Sequence, residues 1–594
     1  MIQQLRPLFP YMKKYRPTLL FGGVCVLLNN GVWILFAQVL SRAINDLNSG
    51  VTRHKLVTYS LLLLAIAGTK GTFQFLTRWL LIGVSREIEF DLRNDLFRHL
   101  EGLSYSYYQR TRTGDVMARA TNDLNAVRML LGPAIMYSAN TLAFMSGALF
   151  FMLHISPKLT LYAFAPLPVA SIIIQYFSRQ IHERFERIQA MFSDITARVQ
   201  ENLSGVRVVR AFVQEDPEIT RFETANNEYI RRSLRLVRLM GVLWPTLELL
   251  LGMAIILVLW LGGREVLMHR INLGNFVAFN IYMVQLTWPI IAFGWVINIF
   301  QRGTASMARI QQIFDEKPEI TDADVPAAGT PSEVVGTLEF RDLCFRYQRS
   351  SEDANGDAEA QPPLVLRNVN LKIPAGTSLA IVGPTGSGKS TLVHLIPRIY
   401  DAAPGSVLLD DRPIREFPLE LLRRNVGFVP QETFLFSDTI RENIAFGTQD
   451  APNSEIRAAA DAASIAAEIE EFPEQFNTMV GERGITLSGG QKQRTAIARA
   501  LVRNPKILVL DDALASVDTH TEDRILNHLR RLMQGRTTVF ISHRVSTVRD
   551  ADQIAVLANG EIVELGNHDE LIARNGYYTE LFNKQLLEEE LETV

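Results

Sequence analysis

The chain has little of what holds an extracellular scaffold or a nucleic-acid binder together. Only two cysteines occur in 594 residues, Cys25 and Cys344. They fall in segments of opposite character, so neither a disulfide framework nor a zinc site is expected. Charge is nearly balanced, at −3 net, which removes the electrostatic case for a nucleic-acid partner. A secretory leader is not expected either. Arg6, Lys13, Lys14 and Arg16 precede an apolar run, but the run extends from Leu19 to Leu40 with no small-residue cleavage site after it. The apolar core of a leader is about 7–15 residues long, so this stretch reads as a membrane helix.

What is present divides the chain in two. Its hydrophobic fraction is 47%, yet the long apolar runs all end by residue 300, and the remainder has the alternation of a soluble α/β protein. Six candidate spans lie at 19–40, 57–83, 131–154, 158–178, 242–263 and 273–300. Each is long enough to cross about 30 Å of hydrocarbon at ~1.5 Å per residue. The long segments after the second and fourth spans are rich in arginine, including Arg86, Arg93, Arg179 and Arg184, whereas the other linkers are short. The positive-inside bias therefore puts both long segments and both chain ends in the cytosol.

Those segments read as helical stalks. From Ala170 to Ser204 no glycine or proline interrupts a three- and four-residue apolar spacing, and Gly205 ends it. Short helices are expected to begin at Asp216-Pro217-Glu218 and near Thr113-Gly114-Asp115. They suit contacts to a soluble motor, or else amphipathic helices on the membrane surface. Lys70, Arg78 and Glu248 interrupt the spans. Such groups cost roughly 2.5–3.5 kcal/mol at a helix centre, so Lys70 and Glu248 either line a substrate path or pair with each other, while Arg78 can snorkel. Trp244, Trp260, Trp288, Trp295, Phe276, Phe279, Phe293 and Phe300 in the last two spans suit an apolar cargo, or simply pack. The expected division is a membrane domain over 1–317, a linker over 318–335, a soluble domain over 336–580 and an acidic tail over 581–594.

The soluble half is organised around Gly383-Pro384-Thr385-Gly386-Ser387-Gly388-Lys389-Ser390-Thr391, which follows the buried strand Ser378–Val382 and opens a helix. The spacing G-x-x-x-x-G-K-[ST] in that setting is a phosphate-cradling loop. Its amides and the helix N-terminus take the phosphates of a nucleoside triphosphate. Lys389 should reach the β/γ-phosphates and Ser390 should bind Mg²⁺. Ile507–Asp511 reads as a buried strand ending in a carboxylate, the expected partner for the same metal. Gln431 ends another strand within reach of the metal, and His543 ends the strand Thr538–Ser542. Leu487-Ser488-Gly489-Gly490-Gln491 opens a long helix and makes a second anion site. Tyr347 offers an aromatic face for a base.

In this order and behind six spans, these motifs resemble those of an ATP-binding-cassette exporter half-transporter of the bacterial multidrug-resistance type. The resemblance implies a six-helix all-α transmembrane domain of the type IV exporter class fused to an α/β P-loop nucleotide-binding domain. It implies ATP and Mg²⁺ as ligands, a second half-transporter subunit as partner, and a place in the plasma (inner) membrane. By the same resemblance Tyr347 stacks on adenine and Gln431 senses the metal. Ser488, Gly489, Gly490 and Gln491 close on ATP held by the partner, Asp518 belongs to the loop crossing the dimer interface, and His543 contacts the γ-phosphate. Val480-Gly481-Glu482-Arg483-Gly484 matches the exporter-type contact to the stalk tips.

One departure stands out. After Asp511 the family usually has Glu, the residue that polarises the attacking water, and here the position is Asp512. One methylene withdraws the carboxylate by roughly 1–1.5 Å, and a misplacement of about 1 Å can cost ~10²-fold in rate. ATP is expected to bind but to be hydrolysed slowly at this chain's own loop, unless the backbone adjusts. In this family that pattern accompanies asymmetric pairs, so a heterodimer is expected. The leading expectation is ATP-driven export of an apolar or amphipathic drug, lipid or peptide. The alternative is a regulatory ATP-binding subunit that gates a catalytic partner.

Overall fold

A computed structural model of the chain describes residues 2–50, 52–326, 331–347, 362–448, 451–481, 484–513, 535–542 and 548–592. It resolves into two compact units, Met1–Phe97 with Ala118–Ile313, and Arg98–Met117 with Phe314–Val594.

The first unit is helical. Among the described residues six helices are long and apolar enough to cross a membrane: α1 (Arg16–Ser49), α2 (Arg53–Gly102), α3 (Thr113–Ile155), α4 (Pro157–Ser204), α5 (Glu215–Leu267) and α6 (Leu273–Asp315). All six expected spans lie inside them. The α3–α4 hairpin turns at Ser156, whose hydroxyl caps Leu159 N–H ahead of Pro157 at the first helical position. Within α3, Pro133 cannot donate a backbone bond, and Leu130–Ala134 is accommodated as a π-helical turn. Ile34 and Ala37 of α1, Phe144 and Met152 of α3, Val258 of α5 and Phe279 and Tyr282 of α6 share one buried cluster. Tyr282 satisfies its hydroxyl there by donating to the Ile34 carbonyl at 2.9 Å.

The stalk expectation holds for α4, whose stretch Leu167–Ser204, after a turn at Ala165–Pro166, runs unbroken and stops at Gly205. Both expected helix starts are present, but the helix that opens at Glu215 is long rather than short. Asp216-Pro217-Glu218 lies in the first turn of the 53-residue helix Glu215–Leu267, and the short helix before it is Val206–Ala211. Thr113-Gly114-Asp115 opens the six-residue α-helical stretch Thr113–Ala118, as expected, which leads through a π-helical turn at Arg119–Asp123 into the rest of α3, and a further short helix, Tyr105–Arg110, precedes it. Acidic first turns and proline mark a helix start but carry no information on where the helix ends.

The second unit is built on a six-stranded sheet in the order β10-β9-β3-β8-β7-β6. Its strands are β3 (Ser378–Val382), β6 (Val426–Val429), β7 (Ile507–Asp511), β8 (Thr537–Ile541), β9 (Gln553–Ala558) and β10 (Glu561–Gly566). All neighbouring pairs are parallel except β9 with β10. Both faces are covered, so the strands read as continuous apolar runs. Leu379 and Ile381 of β3 and Ile507 and Val509 of β7 face one core, shared with an antiparallel sheet in the order β2-β1-β4-β5. In that sheet β1 is Leu338–Phe345, β2 Leu366–Ile373, β4 Val407–Leu409 and β5 Arg412–Pro413. Ala380, Val382, Leu508 and Leu510 face the other core, with a helical layer. Parallel register brings the carboxyl ends of β3, β6, β7 and β8 to one edge, where ligands bind in open α/β sheets.

Candidate functional site

That edge gathers the phosphate loop and the metal-ligand candidates. The loop leaves β3 at Gly383 and enters the short helix α7 (Lys389–His394). Gly383 and Gly388 have φ of +145° and +101°. A Cβ on Gly383 would run into the Leu557 carbonyl, and one on Gly388 would meet Leu366 and the Val365 carbonyl. Only glycine fits at these two points, so the loop can stay tight against the sheet. Lys389 is buried and donates from Nζ to the Gly383 and Pro384 carbonyls, each at 2.9 Å. Burial lowers its pKa, opposed by the nearby charges of Asp512 and Asp511. Ser387 Oγ is buried and among the described residues has no partner, a polar atom turned to a loop shaped for phosphate.

Ser390 Oγ donates to Asp511 Oδ1 at 3.0 Å, so α7 and β7 together present two hard oxygens of the kind Mg²⁺ prefers. Asp511 is 2% exposed. Burial raises its pKa, offset in part by the Ser390 hydrogen bond and by His394. His394 Nε2 lies 3.6 Å from Asp511 Oδ2, and burial lowers the imidazole pKa, which favours its neutral form. The sequence reading missed this histidine. The available signal was its position one helical turn after Ser390, on the same face.

Tyr347 sits beside the loop, with its hydroxyl 2.8 Å from Thr391 Oγ1 and its ring edge-on to Tyr400 at 5.1 Å. Tyr347, Tyr400, Gln109 and Arg110 help line a cavity of about 270 Å³. The last two come from Arg98–Met117, which clusters with this unit. Tyr105 extends the aromatic contact, 5.8 Å from Tyr400 and edge-on. No residue pattern in the chain announced that this segment would line the cavity beside Tyr347.

Asp512 follows β7 at φ +48° and donates its backbone N–H to the Ile541 carbonyl at 3.2 Å. Gln431 lies just past β6 and is exposed, and among the described residues no hydrogen bond joins it to Ser390 or Asp511. Ser488 caps α8 (Gly489–Leu501). It forms a reciprocal box with Gln491, whose backbone N–H bonds to Ser488 Oγ at 3.3 Å while its side chain takes the Ser488 N–H at 3.0 Å. Gly489 and Gly490 form the first turn. Among the described residues no hydrogen bond joins Ser488, Gly489 or Gly490 to the phosphate loop of the same chain. Asp518 and His543, along with Glu482 and Arg483, lie outside the described residues.

Residues 19–290 match the family described as the ABC transporter transmembrane region, and residues 366–515 match the one described as ABC transporter. The chain is 36% identical over 590 residues to the Probable multidrug resistance ABC transporter ATP-binding/permease protein YheI of Bacillus subtilis, with 99% of this chain and 98% of that protein covered. It is 37% identical over 549 residues to the Multidrug resistance-like ATP-binding protein MdlA of Escherichia coli (91% and 90% covered). It is 35% identical over 579 residues to an ATP-dependent lipid A-core flippase of Syntrophus aciditrophicus (98% and 94% covered). A solved bacterial Atm1-family ABC exporter with ATP bound superposes with a TM-score of 0.76 at 29% identity, covering 96% of this chain and 98% of that one.

Proposed function

The chain belongs to the ABC transporters as an ATP-hydrolysing exporter subunit, and we propose that its own phosphate loop is the slow site of an asymmetric pair. ABC exporters work as dimers, and ATP binding and hydrolysis drive export. The observation that carries the asymmetric reading is the tether of Asp512. With its N–H held by Ile541 on β8, the backbone is not free to advance the shorter carboxylate by the missing methylene.

In this reading Lys389 exchanges the Gly383 and Pro384 carbonyls for the β/γ-phosphates, and Gly386, Ser387 and Thr391 complete the cradle. Ser390, Asp511 and Gln431 hold Mg²⁺, which neutralises phosphate charge when bound. Thr385 and Tyr347 flank the triphosphate and the base. Ser488, Gly489, Gly490 and Gln491 close on ATP held by the partner, whose glutamate supplies the fast site, and Asp518 and His543 complete the interface. ATP closure then draws the cassettes together, and hydrolysis releases them. In the same reading a linker over 318–335 joins a membrane domain to the cassette, the membrane is the inner one, and both termini are cytosolic, supported by the arginine bias of the stalks. The names of the relatives, which speak of multidrug resistance and of a lipid, favour an apolar or amphipathic cargo.

Asp512→Glu in the purified complex tests this. Turnover should rise, and removing the partner's glutamate should abolish most of it in the parent complex. Unchanged turnover in both experiments would overturn the asymmetric reading.

A further inference from the structure

The start of α8 is held from behind. Ser488 and Gly489 are exposed, but further along the helix Arg494 is buried. Its guanidinium grips Glu468 with two donors, Nη1 to Oε1 and Nη2 to Oε2, the second at 2.9 Å. Nη1 also donates to the Ser464 carbonyl at 2.8 Å, and Nε donates to the Gly490 carbonyl at 3.3 Å. The arginine therefore touches the backbone of the Ser-Gly-Gly turn itself. Glu468 makes a further contact, accepting from Gln491 Nε2 at 3.1 Å. An amide side chain can stand either way round, and its partners decide which. Here Oε1 takes the Ser488 N–H at 3.0 Å, and Nε2 is left facing the carboxylate. Glu468, which lies outside α8, thus reaches both the amide that closes the cap and the guanidinium that holds Gly490.

The carboxylate stands on a fixed base. It belongs to the short helix Ala466–Glu471, whose Ala466 and Ile469 are buried in one core with Leu487, Ala496 and Ile497. The Glu468 side chain itself is 39% exposed. Water screens an ion pair in that setting, so its contribution to stability is small. What the two-pronged geometry supplies there is direction. The Ser488 hydroxyl accepts from Gln491 N–H at 3.3 Å, so the stance of Gln491 decides where that hydroxyl points.

We propose that Glu468 is a positioning residue for nucleotide closure: through Gln491 and Arg494 it sets the Ser488 hydroxyl and the first-turn amides of α8 in the arrangement that fits a triphosphate on the partner subunit. The contact is made only when the cassettes close. Its loss therefore falls on turnover at the partner's loop and spares ATP binding at this chain's own. The inference rests on the reading that Ser488, Gly489 and Gly490 close on ATP held by the partner, and deepens it.

The test uses the full complex and radiolabelled azido-ATP, crosslinked on ice to read binding and after vanadate trapping to read turnover, with the two subunits resolved on a gel. Glu468→Gln keeps an acceptor for the buried guanidinium but cannot offer two oxygens. Gln491→Glu sets two carboxylates against each other. Each should lower kcat about tenfold, the loss of one charge-assisted contact, with KM for ATP within about twofold. Trapping on the partner subunit should fall in step, while crosslinking of either subunit on ice stays within about twofold. The double variant E468Q/Q491E reverses the hydrogen bond between the two side chains and leaves Ser488 N–H a carboxylate acceptor, so it should recover most of the lost turnover. Ser488→Ala separates the inference from the reading beneath it. If Ser488→Ala lowers trapping on the partner subunit and Glu468→Gln does not, the inference fails and the closing role of the motif stands. If neither lowers it, that role fails and the inference with it. Lost crosslinking of this chain in Glu468→Gln, or no recovery in the double variant, would also overturn the proposal, because Glu468 would then support the fold alone.

Discussion

Ser390 Oγ and Asp511 Oδ1 are 3.0 Å apart, joining the first turn of α7 to the last residue of β7. These residues are separated by 121 positions in the chain, and the parallel sheet makes them neighbours. If the pair holds Mg²⁺, Ser390→Ala should raise the Mg²⁺ concentration for half-maximal ATPase activity by ~10-fold or more, since even outer-shell losses cost 10–100-fold in metal affinity. ATP binding measured in EDTA should change little. A Mg²⁺ curve that superposes on the parent's would remove Ser390 from the metal site.

The same carboxylate gives a pH prediction. Burial raises the Asp511 pKa in the folded protein, so the folded state binds the proton more tightly than the unfolded one. The stabilising contribution of protonation is complete below the unfolded value, about 3.9. It is lost as pH rises through the folded value. At neutral pH the buried charge therefore destabilises the nucleotide-free protein. Asp511→Asn should raise the melting temperature at pH 7 without nucleotide, and its advantage should vanish below about pH 4. A melting temperature that falls at pH 7 would contradict this.

Tyr347 is proposed to stack on adenine beside Tyr400. Tyr347→Ala should weaken ATP binding by roughly 5- to 150-fold, the range for losing ~1–3 kcal/mol of base–aromatic stacking. Tyr347→Trp should keep most of it. Loss of affinity in both variants would point to the hydroxyl contact with Thr391, 2.8 Å away, as the important feature.

For the helix start at Ser488, two effects are expected from Ser488→Ala. The lost cap costs about 1 kcal/mol of stability. Steady-state hydrolysis should fall at least tenfold while equilibrium ATP binding to the isolated phosphate loop stays within about twofold, as expected for a contact made only on closure. A parallel loss of binding and turnover would place Ser488 in the chain's own site.

Asp512→Glu should accelerate hydrolysis at this chain's loop by about 10²-fold, the magnitude associated with a ~1 Å correction in reach. Single-turnover measurements on a complex whose partner glutamate is replaced isolate that site. An increase under twofold would show that the tether to Ile541 does not limit the shorter side chain.

The sequence was most informative where a local pattern corresponds to a local conformation. The glycines at 383 and 388, the stop at Gly205 and the helix start after Ser488 were all legible, because backbone dihedrals and helix ends depend on a few consecutive residues. Reading failed where an end had to be inferred from a beginning. Asp216-Pro217-Glu218 marked a true helix start but concealed a helix of 53 residues. It was equally blind to partners distant in the chain, such as His394 against Asp511 and Tyr105 against Tyr400.

By itself, then, the chain's residue order determined six apolar helices, a phosphate loop between strand and helix, and the shortened carboxylate at position 512. Those features derive from hydropathy, spacing and side-chain length. The tertiary structure alone decided that Asp512 is tied to β8, that Arg98–Met117 contributes to the cavity beside Tyr347, and that Lys70 stands over the Trp33 ring rather than against Glu248. Such pairings arise from helix rotation and strand order. No window of neighbouring residues encodes either.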